Sequence, residues 1–376
     1  MKTAFLRCWF VFGVVFLVWC ASGPLAAADE TSALNNNPSL LSSLQMDAPL
    51  DFCGEKVPLH RQEVRERFEK EMLLSLWNRP QVILWLKRVP RYMPFIEQTL
   101  KENGLPDDLK YIAVAESALR PHAGSRKGAI GFWQFTPATG RKYGLIIDLY
   151  RDERRNIFTA TQAAVKYLKQ LYQDLESWTL AAAAYNMGEE GLTAEILEQV
   201  TDDYYQLYLP LETQRYVFRI LAVKLICTHP STYGFILTEK EKYPPLRFDQ
   251  VEVACEEELG LRVVAQAAGT HFKVIKDLNP ELRGHYLPAG NHVLRVPYGA
   301  SKGFAARFRD LEKKYLATRR ERIYIVKPGD NLSVIAERFG IPLAALIIWN
   351  RIDLNRPIHP GDRLIIHSGE DLPQSD

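Results

Sequence analysis

The chain has 376 residues, 47% of them hydrophobic and 24% charged, with a formal net charge of +2. That length implies two or three domains, and that much apolar residue excludes a wholly disordered chain. The near balance of charge argues against nucleic acid as a partner, because phosphate tracking takes dense stripes of Lys and Arg.

The amino end (1–28) reads as an export signal. Lys2 and Arg7 supply positive charge, residues 8–20 an apolar core, and Ala26-Ala27-Ala28 a small-residue cleavage site. Cleavage after Ala28 is expected. Cys20 opens a second reading, lipidation after cleavage before the cysteine, although Trp19 stands where a small residue is wanted. A retained membrane anchor is a third, with a firmly apolar stretch shorter than the ~20 residues a span needs. Each reading puts the protein outside the cytoplasm: periplasmic, cell-wall associated, and membrane-associated through its N-terminus in the last two. Loss of the signal leaves Cys53, Cys227 and Cys255. Either one disulfide forms among them or the thiols stay buried and unpaired; their spacing matches no metal site.

Residues 29–59 begin rich in Ser, Asn, Ala and Leu and read as a flexible leader. Residues 60–88 carry charged and apolar residues at helical spacing, and from Pro90 to Ile226 helix follows helix. Breaks fall at NGLP (103–106), RPHAG (120–124) and NMGEEG (186–191). The reading is an all-α domain over 60–236 with its core at 90–226, then a polar, proline-bearing linker over 237–250. An internal repeat follows. RVVAQAAG (262–269) overlies SVIAERFG (333–340), and Ala265, Gly269, Asn279 and Gly290 recur as Ala336, Gly340, Asn350 and Gly361 at an offset of 71 residues. The two units, 251–297 and 323–368, each read strand, two short helices, strand. A charged helical connector (298–322) joins them, and 369–376 is a tail. The fold class is therefore multidomain α+β, an all-α domain followed by two small βααβ modules.

One carboxylate stands out. Pro106 suits a helix start, Asp107 and Asp108 favour its positive end, and Pro121 ends the helix at Arg120. Leu109, Ile112 and Ala113 make one face; the next members of that face are Glu116 and Leu119. A carboxyl group thus occupies a position the pattern assigns to the core. Burial raises a carboxyl pKa and keeps it protonated near neutral pH, as a general acid requires; the alternative is a Glu at the stripe's edge reaching solvent. Downstream, GAIGFWQFTPATG (128–140) has glycines that let backbone approach a ligand. Phe132, Trp133 and Phe135 are either flat faces for sugar rings, with Gln134 as a hydrogen-bonding amide, or a core-facing cluster. Tyr185 and Asn186 sit at a helix end, facing a cleft or serving as a buried Tyr and a cap.

Together Glu116-Ser117, Gly131-Phe132-Trp133-Gln134, Ala184-Tyr185-Asn186 and Tyr216 resemble the signature of the lytic transglycosylases of the goose-type lysozyme superfamily. The resemblance covers roughly residues 90–226. It departs from the family pattern at Leu119, where an aromatic is common, at Thr136, where methionine is, and at Asn156-Ile157, where Asp-Pro is usual. The second repeat unit, with its PGDNL turn (328–332) and second PGD (360–362), resembles a LysM domain, a βααβ fold that binds N-acetylglucosamine polymers. Its implied glycan-binding residues are Gly329, Asp330, Asn331, Leu332, Ile358 and Pro360. The first unit has Leu259-Gly260-Leu261 where the second has Asp330-Asn331-Leu332, so it is LysM-like but degenerate.

The resemblance implies a lysozyme-like catalytic domain, peptidoglycan glycan strands as partner, and no metal or organic cofactor. It makes Glu116 the catalytic residue. Ser117 would orient it, Gln134 and Asn186 would bind substrate amides or carbonyls, Tyr185 and Tyr216 would line the scissile bond, and Gly131, Trp133 and Phe135 would contact substrate. Ordinary retaining or inverting glycosidases use two carboxylates. One suffices if the substrate supplies the nucleophile: Glu116 protonates the glycosidic oxygen, then takes the proton of the N-acetylmuramic acid 6-hydroxyl as it attacks C1, leaving a 1,6-anhydro end. Two alternatives stand beside this, a lysozyme-like muramidase with Asp148 or Asp152 as water-activating base, and an inactive murein-binding protein.

Overall fold

The computed structural model describes residues 39–45, 49–321, 323–354 and 357–366. The signal segment with Cys20 and Ala28, and the 369–376 tail, lie outside the described residues.

Residues 49–59, expected within a flexible leader, are packed instead. A small hairpin pairs β1 (Asp51–Phe52) with β2 (Glu55–Lys56), and Phe52 is fully buried in the helical core. Helix α1 (Gln62–Trp77) buries Val64, Phe68, Met72 and Leu76, a stripe at i, i+4, i+8 and i+12. Helix α2 (Arg79–Glu102) runs through Pro90 and Pro94 and buries Val82, Leu86, Met93, Ile96 and Leu100. After a 3₁₀ turn at Asp107–Leu109, helix α3 (Lys110–Ser117) stops three residues before the expected Arg120. Ala118 and Leu119 turn left-handed at φ 53° and 56°, which ends the helix and still buries Leu119 completely.

The remaining helices of this layer are α4 (Pro137–Lys142), α5 (Ile157–Leu175), α6 (Trp178–Met187), α7 (Glu189–Gln199) and α8 (Leu211–Thr228). Asn156 caps α5, its Oδ1 accepting from the Phe158 and Thr159 amides at 2.9 and 3.4 Å, so Asn in place of the usual Asp keeps the cap. Helix α8 is central: it packs on α1, α3 and α6, and Ile220, Leu221, Ala222 and Val223 have no exposed surface. A helix apolar on several faces is one enclosed by others.

The first module pairs β3 (Phe248–Cys255) antiparallel with β6 (Gly290–Pro297) and carries helices α9 (Leu261–Ala267) and α10 (Phe272–Leu278) between them. Within it, β4 (Leu259–Gly260) pairs with β5 (Tyr286–Leu287). The connector is helix α11 (Phe304–Glu321), which is no free spacer: Phe304, Phe308, Tyr315 and Leu316 are buried against the first module. The second module has β7 (Ile323–Ile325) paired with β8 (Arg363–Ile365) around α12 (Leu332–Arg338) and α13 (Leu343–Asn350).

The repeat has a physical basis in one buried amide. Asn279 Nδ2 donates to Ile275 O and Arg295 O while its Oδ1 accepts from the Arg295 amide, stapling α10 to β6. Asn350 makes the same three bonds to Leu346 O, Ile365 O and the Ile365 amide. Cys53, Cys227 and Cys255 are unpaired thiols, as in the second of the two readings of the sequence, but only Cys255 is buried and the other two are half-buried.

Candidate active site

Glu116 lies in the last turn of α3, half-buried, where α3 meets α8. The Tyr216 hydroxyl, from α8, donates to Glu116 Oε1 at 2.5 Å. Burial pushes the Glu116 carboxyl up to about 7. The Tyr216 bond and the Arg219 charge oppose that rise, and Glu212 adds to it. A carboxyl held near neutrality can give a proton in one step and take one in the next.

Four elements converge on this pair. Ser117 does not touch the Glu116 carboxyl: its buried hydroxyl donates to Ala113 O and to Phe132 O at 2.8 Å, tying the end of α3 to the 123–135 loop. That loop is folded on itself by bridges Gly124↔Ile130 and Ile130↔Phe135. Gln134, at φ 50°, spends its Nε2 on Ala123 O and Gly131 O. The Tyr185 hydroxyl donates to Trp133 O at 2.7 Å, joining α6 to the loop. Asn186 Oδ1 accepts from Thr213 Oγ1 at 2.8 Å, joining α6 to α8 one turn before Tyr216.

Exposure sorts the expected site residues. Glu116, Gln134, Tyr185 and Asn186 are partly open to solvent. Trp133 and Phe135, expected to offer flat faces to sugar rings, are instead core residues at 0% and 2% exposure. The Trp133 indole donates to Thr161 Oγ1 on α5, which aims the ring inward. Gly131, expected to let substrate approach, is buried, and its φ of +86° and contact with Arg154 O show that the close approach is to protein backbone. Tyr216 is also buried, touching the site through its hydroxyl alone.

Neither aspartate considered as a water-activating base suits that role. Asp152 is fully buried and bound through both oxygens by Arg154, each bond 2.8 Å, which holds its carboxyl below the usual range. Asp148 caps a turn, accepting from the Tyr150 and Arg151 amides. Sequence reading missed Glu212, Thr213 and Arg219. The available signal was their spacing of i−4, i−3 and i+3 from Tyr216, which puts them on its face of α8.

In the second module, Gly329 takes φ +84° in the turn. The Asp330 carboxylate accepts from Tyr324 Oη (2.5 Å), the Lys327 amide (2.8 Å) and Arg338 Nη2 (3.2 Å). Asn331 caps α12 by accepting from the Val334 amide at 2.9 Å. Leu332 and Ile358 pack on the module core, and Pro360 is exposed. The polar side chains of this turn therefore shape it.

A helical domain with a half-buried carboxyl where two of its helices meet, followed by two βααβ modules, is the arrangement of a transglycosylase SLT domain carrying LysM-type appendages. Residues 93–207 match the transglycosylase SLT domain, residues 247–313 the LysM-like domain of lytic transglycosylase MltD, and residues 324–367 the LysM domain. The chain is similar to membrane-bound lytic murein transglycosylase D of Escherichia coli (strain K12), with 28% identity over 332 residues, 85% of this chain and 72% of the relative. It is 38% identical over 116 residues to the peptidoglycan transglycosylase gp16 of Escherichia phage T7, covering 30% of this chain and 9% of that one. Among solved structures, the 70 kDa soluble lytic transglycosylase of Escherichia coli aligns with 48% of this chain and 33% of its own, at 18% identity and a TM-score of 0.33.

Proposed function

We propose that this protein cleaves the β-1,4 bond between N-acetylmuramic acid and N-acetylglucosamine in peptidoglycan, leaving 1,6-anhydro-muramoyl ends, while its C-terminal LysM module holds the murein. The observation that carries the reading is a single carboxyl held near neutrality, hydrogen-bonded by a tyrosine, in a domain matching the SLT family.

In this mechanism Tyr216 fixes Oε1 as an acceptor, so the transferable proton sits on Oε2 of Glu116. That proton goes to the glycosidic oxygen as the C1–O bond breaks, and the substrate's 2-acetamido group stabilises the positive charge at C1. The Glu116 carboxylate then accepts the proton of the muramoyl 6-hydroxyl as its oxygen bonds to C1. The proton count closes without water. Positioned proton transfer of this kind contributes about 10²–10⁴-fold. Gln134, with both amide hydrogens spent inside the loop, offers Oε1 to a substrate N–H; Asn186, with Oδ1 engaged, offers Nδ2 to a substrate carbonyl. Ser117, Gly131, Trp133 and Phe135 act behind this surface by holding the loop.

The unit boundaries that support this reading are a catalytic domain over 49–236 that includes the packed hairpin, a first module over 248–321 that includes helix α11, a second module over 323–368, and an intervening segment at 237–247. The protein works outside the cytoplasm, in the periplasm against the cell wall, and its amino-terminal segment keeps it at the membrane unless cleavage releases it. The similarity to a relative named as membrane-bound supports membrane association.

The deciding experiment is digestion of purified sacculi by the full chain, with product ends read by mass spectrometry. Anhydro ends, one water lighter than reducing ends, are expected; reducing ends would make the protein a hydrolase. Glu116→Gln should still bind sacculi and release no products, and a substantially active variant would remove Glu116 from the mechanism.

A further inference from the structure

The first module lies against the catalytic domain, and the segment it touches leads to the active-site loop. Its α10–β6 connection runs beside residues 148–152. The Asp152 amide donates to Glu281 O at 2.8 Å, the Arg283 amide to Tyr150 O at 2.7 Å, and Arg283 Nη1 to Asp148 O at 2.7 Å. An isolated β-bridge pairs Arg151 with Leu282. Around this pairing, the Tyr150 hydroxyl donates to Glu258 at 3.0 Å, and Phe158 meets Phe248 edge-on at 5.5 Å with the Arg295 guanidinium over its ring. Pro121 and Phe132, neighbours of the Glu116 segment, share a seam with Leu278 and Pro280.

The paired segment continues directly into Asp152 and Arg154. Arg154 Nη1 donates to Gly128 O at 2.9 Å and Phe135 O at 3.1 Å, so one guanidinium grips both ends of the loop that carries Gln134. Arg154 O sits where a Cβ on Gly131 would fall, 1.8 Å away, so the two backbones fit against each other. Buried polar groups joined this way have one low-energy arrangement, and shifting one end moves the other.

In the same module the two loops that correspond to the polar turn and the Pro357–Ile358 segment of the second module are zipped together. Leu259 pairs with Leu287 and Gly260 with Tyr286. The counterparts in the second module, Asp330–Asn331 and Pro357–Ile358, form no strand. The surface that could have opened between these loops is closed.

We propose that the 251–297 module is an internal brace for the catalytic domain: its 279–283 loop pairs with residues 150–152 and, through the Asp152–Arg154 pair, sets the position of the 128–135 loop beside Glu116. Arg154 is then a positioning residue for the reaction. This rests on the reading of Glu116 as the acid, but its first test does not use activity.

The experiment is hydrogen exchange on the full chain, wild type against the double variant Phe248→Ala, Arg283→Glu, with kcat and KM on glycan strands measured in parallel. In the wild type, 146–154 and 279–285 are expected to be protected together. In the variant both, and also 125–136, exchange about tenfold faster. The kcat/KM falls about tenfold, because Gln134, which binds substrate, rides on the displaced loop. Wild-type 279–285 exchanging as an open loop overturns the proposal. So does a variant that frees 146–154 and 279–285 but leaves 125–136 and kcat/KM unchanged. If the double variant unfolds the module, Arg154→Lys tests the link from Asp152 to the loop: faster exchange at 125–136 with a loss of kcat/KM supports the brace, and unchanged exchange there refutes it. A wild-type protein without transglycosylase activity would sink the functional reading and leave the exchange result standing.

Discussion

Removing one oxygen tests how the acid is tuned. In Tyr216→Phe the ring stays in its buried place and only the hydroxyl that donates to Glu116 Oε1 is lost. That bond stabilises the carboxylate, so it lowers the Glu116 pKa against the larger rise from burial. A hydrogen bond to a charged group contributes about 1.5–3 kcal/mol. At about 1.4 kcal/mol per pH unit, its loss should raise the pKa by roughly one to two units. The reaction needs Glu116 protonated at the start, so activity is lost as pH rises through that pKa. The alkaline limb of the rate profile, expected near pH 7 in the wild type from the Glu116 value of about 7, should move up by that amount. The rate at low pH should also fall, because Oε2 is no longer aimed. The assay is the initial rate of anhydro-muropeptide release from sacculi, followed across the pH range by mass spectrometry. An alkaline limb that stays put or moves down would refute the claim that Tyr216 holds Glu116 in its ionised form.

Three further outcomes are expected. Glu116→Gln should be more stable than wild type above pH 7: the folded carboxyl titrates near 7 and the unfolded one near 4.5, so wild-type stability declines as pH rises through that window, by up to about 3 kcal/mol. Thermal melts at acid and alkaline pH check this, and a variant no more stable at pH 8 contradicts it. Gly131→Ala should cost about 3 kcal/mol or more, since φ is +86° and the new Cβ would meet Arg154 O, a backbone atom that cannot swing aside; urea unfolding measures it, and a loss under about 1 kcal/mol would deny the close approach. Glu55→Ala should lose about 1–2 kcal/mol and reduce activity, because this carboxylate accepts from the Trp178 and Thr179 amides at the start of α6, the helix that carries Tyr185 and Asn186; denaturation midpoints and sacculus digestion check both parts.

What the sequence disclosed was local. The i, i+3, i+4 face of Leu109, Ile112 and Ala113 led to Glu116, and the offset repeat led to two modules with the same buried asparagine staple. The aromatic stretch was ambiguous for a physical reason: a short run of rings beside glycines fits both a ligand wall and a core wedge. Only the α5 partner of Trp133, Thr161, decides for the core. The packing of residues 49–59 was hidden because Glu55 finds its partners 122 to 124 residues away. Distant pairings of that kind also join the first module to the catalytic domain, as in the bond from the Tyr150 hydroxyl to Glu258, 108 residues on. Windows of helical or strand period carry no trace of them.

The two left-handed residues after α3 bear on any effort to make this protein hardier. Ala118 and Leu119 each hold a backbone shape that disfavours a side chain; a glycine at 118 would relieve about 1 kcal/mol there but would lose a buried methyl and leave the unfolded chain freer, terms of about the same size. The net gain in stability is therefore small. Yet the same joint is what carries the chain from Glu116 straight into Leu119, anchored in the core. Glycine there would give the joint more shapes to adopt, and the carboxyl two residues upstream would aim less well. The expected variant is about as stable as its parent and a slower catalyst, the stiffness of the joint having served to aim the acid.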